Sequence, residues 1–98
     1  EEDRMTTKQR AYLRSLASGI SPVFQIGKGG LTDESIKQIG NAVNARELIK
    51  CSVLETCPLN AGEAAQAVSE GTGAECVQVI GNRFVLYKRN EKKPKIEL

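Results

Sequence analysis

Residues 22–34 read PVFQIGKGGLTDE and carry the clearest structural pattern of the 98-residue chain. Residues 23–26 are rich in side chains that favour β-structure, which predicts a short strand. The run GKGG at residues 27–30 interrupts that strand. Thr32 follows as a helix N-cap with two acids in the first turn, where carboxylates interact favourably with the helix dipole. The sequence therefore predicts a strand, a glycine-rich loop and the start of a helix.

A helix is predicted on the N-terminal side of this stretch. Thr6 and Gln9 match the capping box of a helix N-terminus. The residues after them place apolar side chains at helical spacing, at Tyr12, Leu13, Leu16, Ala17 and Ile20. Gly19 predicts a left-handed end to this helix, and Pro22 prevents its continuation.

A second helix, a strand and a third helix are predicted on the C-terminal side. The second helix has a stripe of apolar residues at Ile36, Ile39, Ala42 and Val43. Residues 48–54 are too few and too rich in β-branched side chains for a helix, so we predict a strand there. Asn60 and Glu63 repeat the capping pattern ahead of an alanine-rich helix, which the glycines in residues 71–73 end.

The last predicted element is a β-hairpin. Residues 76–80 and 83–87 are strands separated by Gly81 and Asn82, a two-residue turn that requires positive φ. The order of elements is then αβαβαββ. Strands joined through helices pair in parallel and the hairpin adds an antiparallel pair, so we predict an α/β fold with a four-stranded mixed sheet. Residues 5–90 form one domain, and residues 91–98 form a charged tail that could add an edge strand.

Composition narrows the function. No apolar run approaches the roughly 18 residues needed to span a bilayer, and the N-terminus lacks the pattern of a secretory signal, so we expect a cytoplasmic protein. The absence of histidine removes the usual general base and the commonest metal ligand. Cys51, Cys57 and Cys76 lack the paired spacing of a zinc site. We therefore expect no catalysis, no metal and no cofactor, with Cys51 and Cys76 buried and Cys57 the most exposed.

Charge is unevenly distributed along the chain. Residues 1–50 carry eight Lys/Arg against six acids, a net charge of +2. Residues 51–82 carry four acids and no basic residue, and residues 83–98 carry six basic residues against two acids. Two basic ends therefore flank an acidic middle. Charge alone leaves open whether the basic ends meet in a cationic face that attracts polyanions or only keep the protein soluble.

The glycine loop at residues 27–30 is a candidate phosphate-binding element. It lies between a strand and a helix N-terminus, where backbone N–H groups and the helix dipole bind anions. The spacing fits neither a Walker loop nor a dinucleotide fingerprint, which disfavours a nucleotide-hydrolysing enzyme. It does match the G-x-x-G loop with which KH domains hold a nucleic-acid backbone. The structural alternative is a tight turn that uses glycine only for its positive φ.

Aromatic residues are too few for a base-stacking platform. The chain has two phenylalanines and two tyrosines. We expect Phe24 and Phe84 in the core, and Tyr12 and Tyr87 at its edge. Sheet-based stacking of RNA bases is therefore disfavoured.

Four ordered motifs carry a resemblance to a known family. They are KQRxYLRxLA at 8–17, PVFQIGKGGLT at 22–32, RELIK at 46–50 and VQVIGNRFVLYK at 77–88. Together they resemble the YhbY family, the stand-alone bacterial form of the CRM domain. The resemblance implies a fold related to the C-terminal domain of translation initiation factor three, RNA binding, and association with precursors of the large ribosomal subunit. It also implies that the loop of residues 27–30 contacts RNA.

The resulting hypothesis is a monomeric, non-enzymatic protein that binds ribosomal RNA or pre-ribosomal particles through phosphate contacts. The predicted RNA-binding residues are Gly27, Lys28, Gly29, Gly30, Lys8, Arg10, Arg14, Lys37, Lys50, Lys88 and Arg89. The alternative is a protein-interaction adaptor that uses the acidic region 55–75.

Overall fold

The computed structural model describes residues 6–89 and residue 96 of the chain. Its elements follow the predicted order αβαβαββ. They are α1 (Thr7–Ala17), β1 (Phe24–Ile26), α2 (Asp33–Arg46), β2 (Leu48–Val53), α3 (Ala61–Thr72), β3 (Glu75–Ile80) and β4 (Arg83–Tyr87). The predicted fold class and order of elements are therefore confirmed.

The four strands form one mixed sheet in the order β1-β2-β4-β3. β1 pairs in parallel with β2, while β4 pairs antiparallel with β2 on one side and with β3 on the other. The expectation that each helix joins two neighbouring parallel strands holds only for α2. Because β4 inserts between β2 and β3, α3 connects two strands that run in the same direction without touching.

Each face of the sheet has its own apolar cluster. The larger cluster packs α2 and α3 against one face and includes Ile39, Val43, Val68 and Phe84. The smaller cluster packs Leu13 and Ala17 of α1 against Leu48, Val77, Val85 and Tyr87 on the other face. A strand exposes alternate side chains to opposite faces, so neighbours along β4 such as Phe84 and Val85 enter different clusters. The single helix α1 leaves part of its face uncovered.

The helix ends show where local sequence rules hold. Both predicted capping boxes are present, one at Thr6 and one at Asn60. The predicted left-handed end at Gly19 is wrong: α1 stops at Ala17 with a right-handed C-cap, and the left-handed glycine cap is Gly73 after α3. α2 ends at Arg46, and its C-cap is Glu47, a buried residue with φ of +68° at a position where glycine is usual.

Two turns meet at one end of the sheet, which we call the loop end. Here β1 and β2 finish and the β3–β4 hairpin reverses direction. The Val53 N–H donates to the Asn82 carbonyl at 2.7 Å, and Asn82 Nδ2 donates back to the Val53 carbonyl at 3.2 Å. Gly81 supplies the positive φ of the hairpin, at +58°, and Asn82 does not share it. The opposite end of the sheet, where Leu48 pairs with Tyr87, is called the far end.

The aromatic residues and the tail differ partly from expectation. Phe84 is fully buried and Phe24 partly buried, while Tyr12 is exposed. Tyr87 was expected at an edge but is buried, because it fills the α1 cluster. Ile96 packs on the same cluster and its N–H donates to a Glu47 carboxylate oxygen at 2.8 Å, in a bend rather than a strand. Leu98, the other proposed edge-strand residue, lies outside the described residues.

Within residues 6–89 and 96, no helix combines the length and the apolar character that crossing a bilayer requires.

Candidate nucleic-acid interface

The glycine loop is a tight turn at the loop end of the sheet. The Gly30 N–H donates to the Gly27 carbonyl at 2.9 Å, which closes the turn over Lys28 and Gly29. Gly30 has φ of +67°, a backbone conformation that residues other than glycine adopt only at a cost in free energy. A tight turn that needs glycine for its positive φ therefore accounts for Gly30, but it does not account for Gly29, whose φ is not positive.

Neighbouring side chains lie close to two of the loop glycines. A Cβ at Gly27 would lie 3.4 Å from Leu54 Cδ1, and one at Gly30 would lie 3.4 Å from Pro58 Cγ. The loop therefore leans on the segment that follows β2. A Cβ at Gly29 would meet nothing within 4 Å, and Gly29 has no positive φ. Neither packing nor backbone strain requires a glycine there, and the missing side chain leaves the backbone open to close approach by a ligand.

The tip of the loop offers free hydrogen-bond donors. Lys28 is exposed, and its ammonium group has no hydrogen-bond or salt-bridge partner in the described part of the chain. The backbone N–H groups of Lys28 and Gly29 also lack partners there. Adjacent free N–H groups beside a cation form an anion-binding arrangement.

The N-terminus of α2 follows the loop but is poorly suited to a phosphate. Thr32 caps it by accepting a hydrogen bond from the Ser35 N–H at 3.0 Å. Asp33 and Glu34 occupy its first turn and already complement the helix dipole. Their charges repel an anion, so the N–H groups and Lys28 of the loop are better placed to meet a phosphate than the helix end is.

The structure divides the other predicted basic residues between the two ends of the sheet. Lys37 is exposed one turn into α2, beside the loop end. Arg14 and Lys50 line a groove on the α1 face of the sheet together with Arg83, which the sequence analysis did not single out. Arg83 escaped notice because the groove is built from three segments far apart in the chain.

Four predicted residues lie toward the far end and are not gathered with the loop. Lys8 lies in the first turn of α1, and Arg89 follows β4; both are exposed. Arg10 is held within the fold, since its guanidinium donates to the Cys76 carbonyl at 2.9 Å and pairs with Glu75 at 3.0 Å. We therefore assign Arg10 the structural role of tying α1 to β3.

Lys88 also has a structural partner. Its Nζ donates to the Thr72 carbonyl at 3.0 Å, at the C-terminus of α3, where a cation favourably meets the helix dipole. The side chain is half-buried in this position. Its charge is therefore used to cap a helix at the far end of the sheet.

The acidic region 55–75 is partly used inside the molecule. Glu63 completes the capping box of α3, and Glu75 pairs with Arg10. Glu55 and Glu70 remain exposed, with Glu70 accepting a hydrogen bond from Gln66 at 3.4 Å. No continuous face of free carboxylates is formed by these four residues, which is unfavourable for the adaptor alternative.

The cysteines are separate thiols. Cys51 is buried, and burial raises the pKa of its thiol to about 12. Cys76 is only half-buried, although burial still raises the pKa of its thiol. Cys57 is half-buried as well, so the two side chains differ less in exposure than predicted. Among the described residues, no group of three potential ligands is positioned to hold a metal ion.

A family model for the CRS1 / YhbY (CRM) domain matches residues 5–88. The chain belongs to this family. The CRM domain accounts for the whole α/β unit, from the start of α1 to the end of β4. The resemblance found in the sequence motifs is thereby confirmed.

Relatives of this CRM domain include bacterial proteins and a Probable RNA-binding protein, MJ0652, of Methanocaldococcus jannaschii, which is 30% identical and is matched over 97% of this chain and 77% of the relative. The chain is 48% identical to the Probable RNA-binding protein YqeI of Bacillus subtilis (strain 168), covering 96% of this chain and 98% of the relative. It is 37% identical to an RNA-binding protein of Haemophilus influenzae, covering 96% and 94% of the two chains. The Bacillus protein is matched over nearly its full length, so the domain stands alone there.

A solved structure has the same fold. The solution structure of SAV1595 from Staphylococcus aureus superposes with a TM-score of 0.80 at 47% identity, covering 97% of this chain and 99% of that one. The three-helix, four-stranded architecture is therefore shared with an experimentally determined relative.

Proposed function

We propose that this protein binds RNA, chiefly through phosphate groups, and performs no catalysis. The observation that carries the proposal is the glycine loop, where an exposed Lys28 lies with two N–H groups that have no partner in residues 6–89 or 96, at an open end of the sheet. Gly29 has no structural requirement for glycine and leaves room for a backbone to approach. Membership of the CRM family and the names of its RNA-binding relatives support the same function.

The proposed contacts follow from the geometry. The loop donors bind one phosphate, while Lys37 on one side and Arg14 and Lys50 on the other extend the cationic surface. Lys8 and Arg89 at the far end contribute only weak attraction, because exposed charges separated by more than a Debye length of about 8–10 Å at moderate salt are largely screened. Arg10 and Lys88 are not among the proposed RNA contacts, because their side chains bind partners within the fold.

The physiological partner that we propose is ribosomal RNA within precursors of the large subunit, bound by a monomer in the cytoplasm. The resemblance to the YhbY family supports this choice of partner. A protein that holds phosphates and few bases suits a large, structured RNA better than a short sequence motif.

Sedimentation of a cell lysate tests the ribosomal partner. A tagged protein should migrate with precursors of the large subunit at low salt and return to the top of the gradient at high salt or after RNase treatment. Lys28→Ala is the matched variant and should release at lower salt than the parent. If the parent stays at the top of the gradient while binding purified RNA, the ribosomal partner is refuted and RNA binding is retained.

A further inference from the structure

A groove of about 520 Å³ opens on the α1 face of the sheet, next to the loop end. It lies where the last turn of α1 stops short of covering β2, β4 and the hairpin. Its volume is within the range of about 300–1,000 Å³ that binds small ligands. The residues that bear on its chemistry are Arg14, Lys50, Gln78, Ile80, Asn82 and Arg83.

Three cations surround this groove, and none of the described residues that line it is acidic. Arg14 comes from α1, Lys50 from β2 and Arg83 from β4. None of the three side chains has a hydrogen-bond or salt-bridge partner in residues 6–89 or 96. Arg10, one turn before Arg14, differs because it is paired with Glu75. Three unpaired cations around one cavity repel one another and are relieved by a bound anion.

The floor of the groove is apolar and carries two amides. Ala17, Val85 and Ile80 line it, and Ile80 is 61% exposed although it is a large aliphatic residue. Asn82 is held in place by its bond to the Val53 carbonyl, and Gln78 lies on the neighbouring strand. An apolar surface beside amides matches the flat face and polar edge of a nucleobase, as the cations match its phosphate.

We propose that this groove binds one unpaired nucleotide of the RNA held by the glycine loop, a specific extension that rests on the proposed function. The bases of a duplex are stacked inside it, so only an unstacked base reaches the floor while its phosphate meets Arg14, Lys50 and Arg83. β1 and β4 are two strands apart, or about 10 Å at the usual spacing of strands, so one RNA segment spans both the loop and the groove.

Comparing single-stranded and duplex RNA of the same sequence tests this proposal. The variants are Arg83→Gln and Lys50→Gln, with Arg46→Gln as the control. Arg46 is an exposed cation in the last turn of α2, at the far end of the sheet, so the control removes the same charge elsewhere. Affinity is measured by fluorescence anisotropy, and thermal unfolding of each free variant checks the fold.

We expect each groove variant to bind the single strand about tenfold more weakly than the parent, and to weaken duplex binding by a smaller factor, because the duplex loses only phosphate attraction and brings no base into the groove. The side-chain amide signals of Gln78 and Asn82 should shift in NMR spectra on adding the single strand and stay in place with the duplex. Lys50→Gln keeps the test intact if Arg83→Gln fails to fold, because Arg83 begins a central strand.

Three results would overturn the inference. Groove variants that bind the single strand as well as Arg46→Gln show that the groove is not used. Equal losses on single strand and duplex show that the cations contact only a backbone. Unmoved amide signals in a bound complex show that no base enters. Each leaves RNA binding by the loop standing, whereas a parent protein that binds neither RNA refutes the proposed function itself.

Discussion

Replacing Lys28 by alanine separates the binding role of the glycine loop from the fold. Lys28 is exposed and has no hydrogen-bond or salt-bridge partner in the described residues, so the free energy of unfolding should change by less than about 0.5 kcal/mol. Loss of one charge-assisted phosphate contact should weaken RNA binding about tenfold, equivalent to about 1.4 kcal/mol. Because one fewer phosphate is neutralised, the slope of log affinity against log salt should become shallower by about 0.9.

Filter binding at several salt concentrations, combined with thermal unfolding, measures both effects. Arg46→Ala is the charge-matched control and should weaken binding no more than about twofold, since it removes only long-range attraction. Gly29→Val should weaken binding with the fold intact, because its side chain meets open space at an ordinary φ. Parent-like affinity and an unchanged salt slope for Lys28→Ala would refute the phosphate contact.

Three further predictions concern the fold. Burial raises the pKa of the Cys51 thiol from 9.0 to about 12. The contribution of the protonated thiol to stability is therefore complete below about pH 9 and is lost as the pH rises towards 12. Cys51→Ala should flatten the pH dependence of the free energy of unfolding, measured with urea, across that range. The buried Tyr87 hydroxyl has no hydrogen-bond partner in residues 6–89 or 96, so Tyr87→Phe should leave the unfolding temperature unchanged or higher. A loss of more than about 1 kcal/mol in the free energy of unfolding would contradict this. Lys88→Met should cost about 1 kcal/mol of stability through the lost bond to Thr72 and leave RNA affinity within about twofold, which a tenfold loss would contradict.

Local rules predicted the elements well because their causes are local. The capping boxes at Thr6 and Asn60 and the turn at Gly81 depend on residues within a few positions, and all three appear in the structure. The prediction of a left-handed helix end at Gly19 was wrong because the C-cap of α1 is Ser18, which has a right-handed backbone conformation. Glu47 ends α2 with a positive φ that no sequence rule assigns to glutamate, stabilised by buried contacts such as the Ile96 N–H.

The candidate site could be predicted only in part. The glycine loop is continuous in sequence, so its four residues could be found together. The use of Arg10 and Lys88 as internal ties depends on partners more than 15 residues away in the chain, Glu75 and Thr72, which charge patterns do not reveal. Arg83 joins the groove only because β4 lies next to β2, and that strand order was not available from the alternation of helices and strands.

The salt dependence of RNA binding by the parent protein measures how far phosphate contacts account for its affinity. If about five phosphates are neutralised, log affinity should fall with log salt at a slope of about −4, so that a fourfold rise in salt weakens binding roughly two hundredfold. Binding of a structured RNA from low to moderate salt is the measurement. A flat dependence, or no binding at low salt, would contradict an interface built on Lys28 and the cations around it.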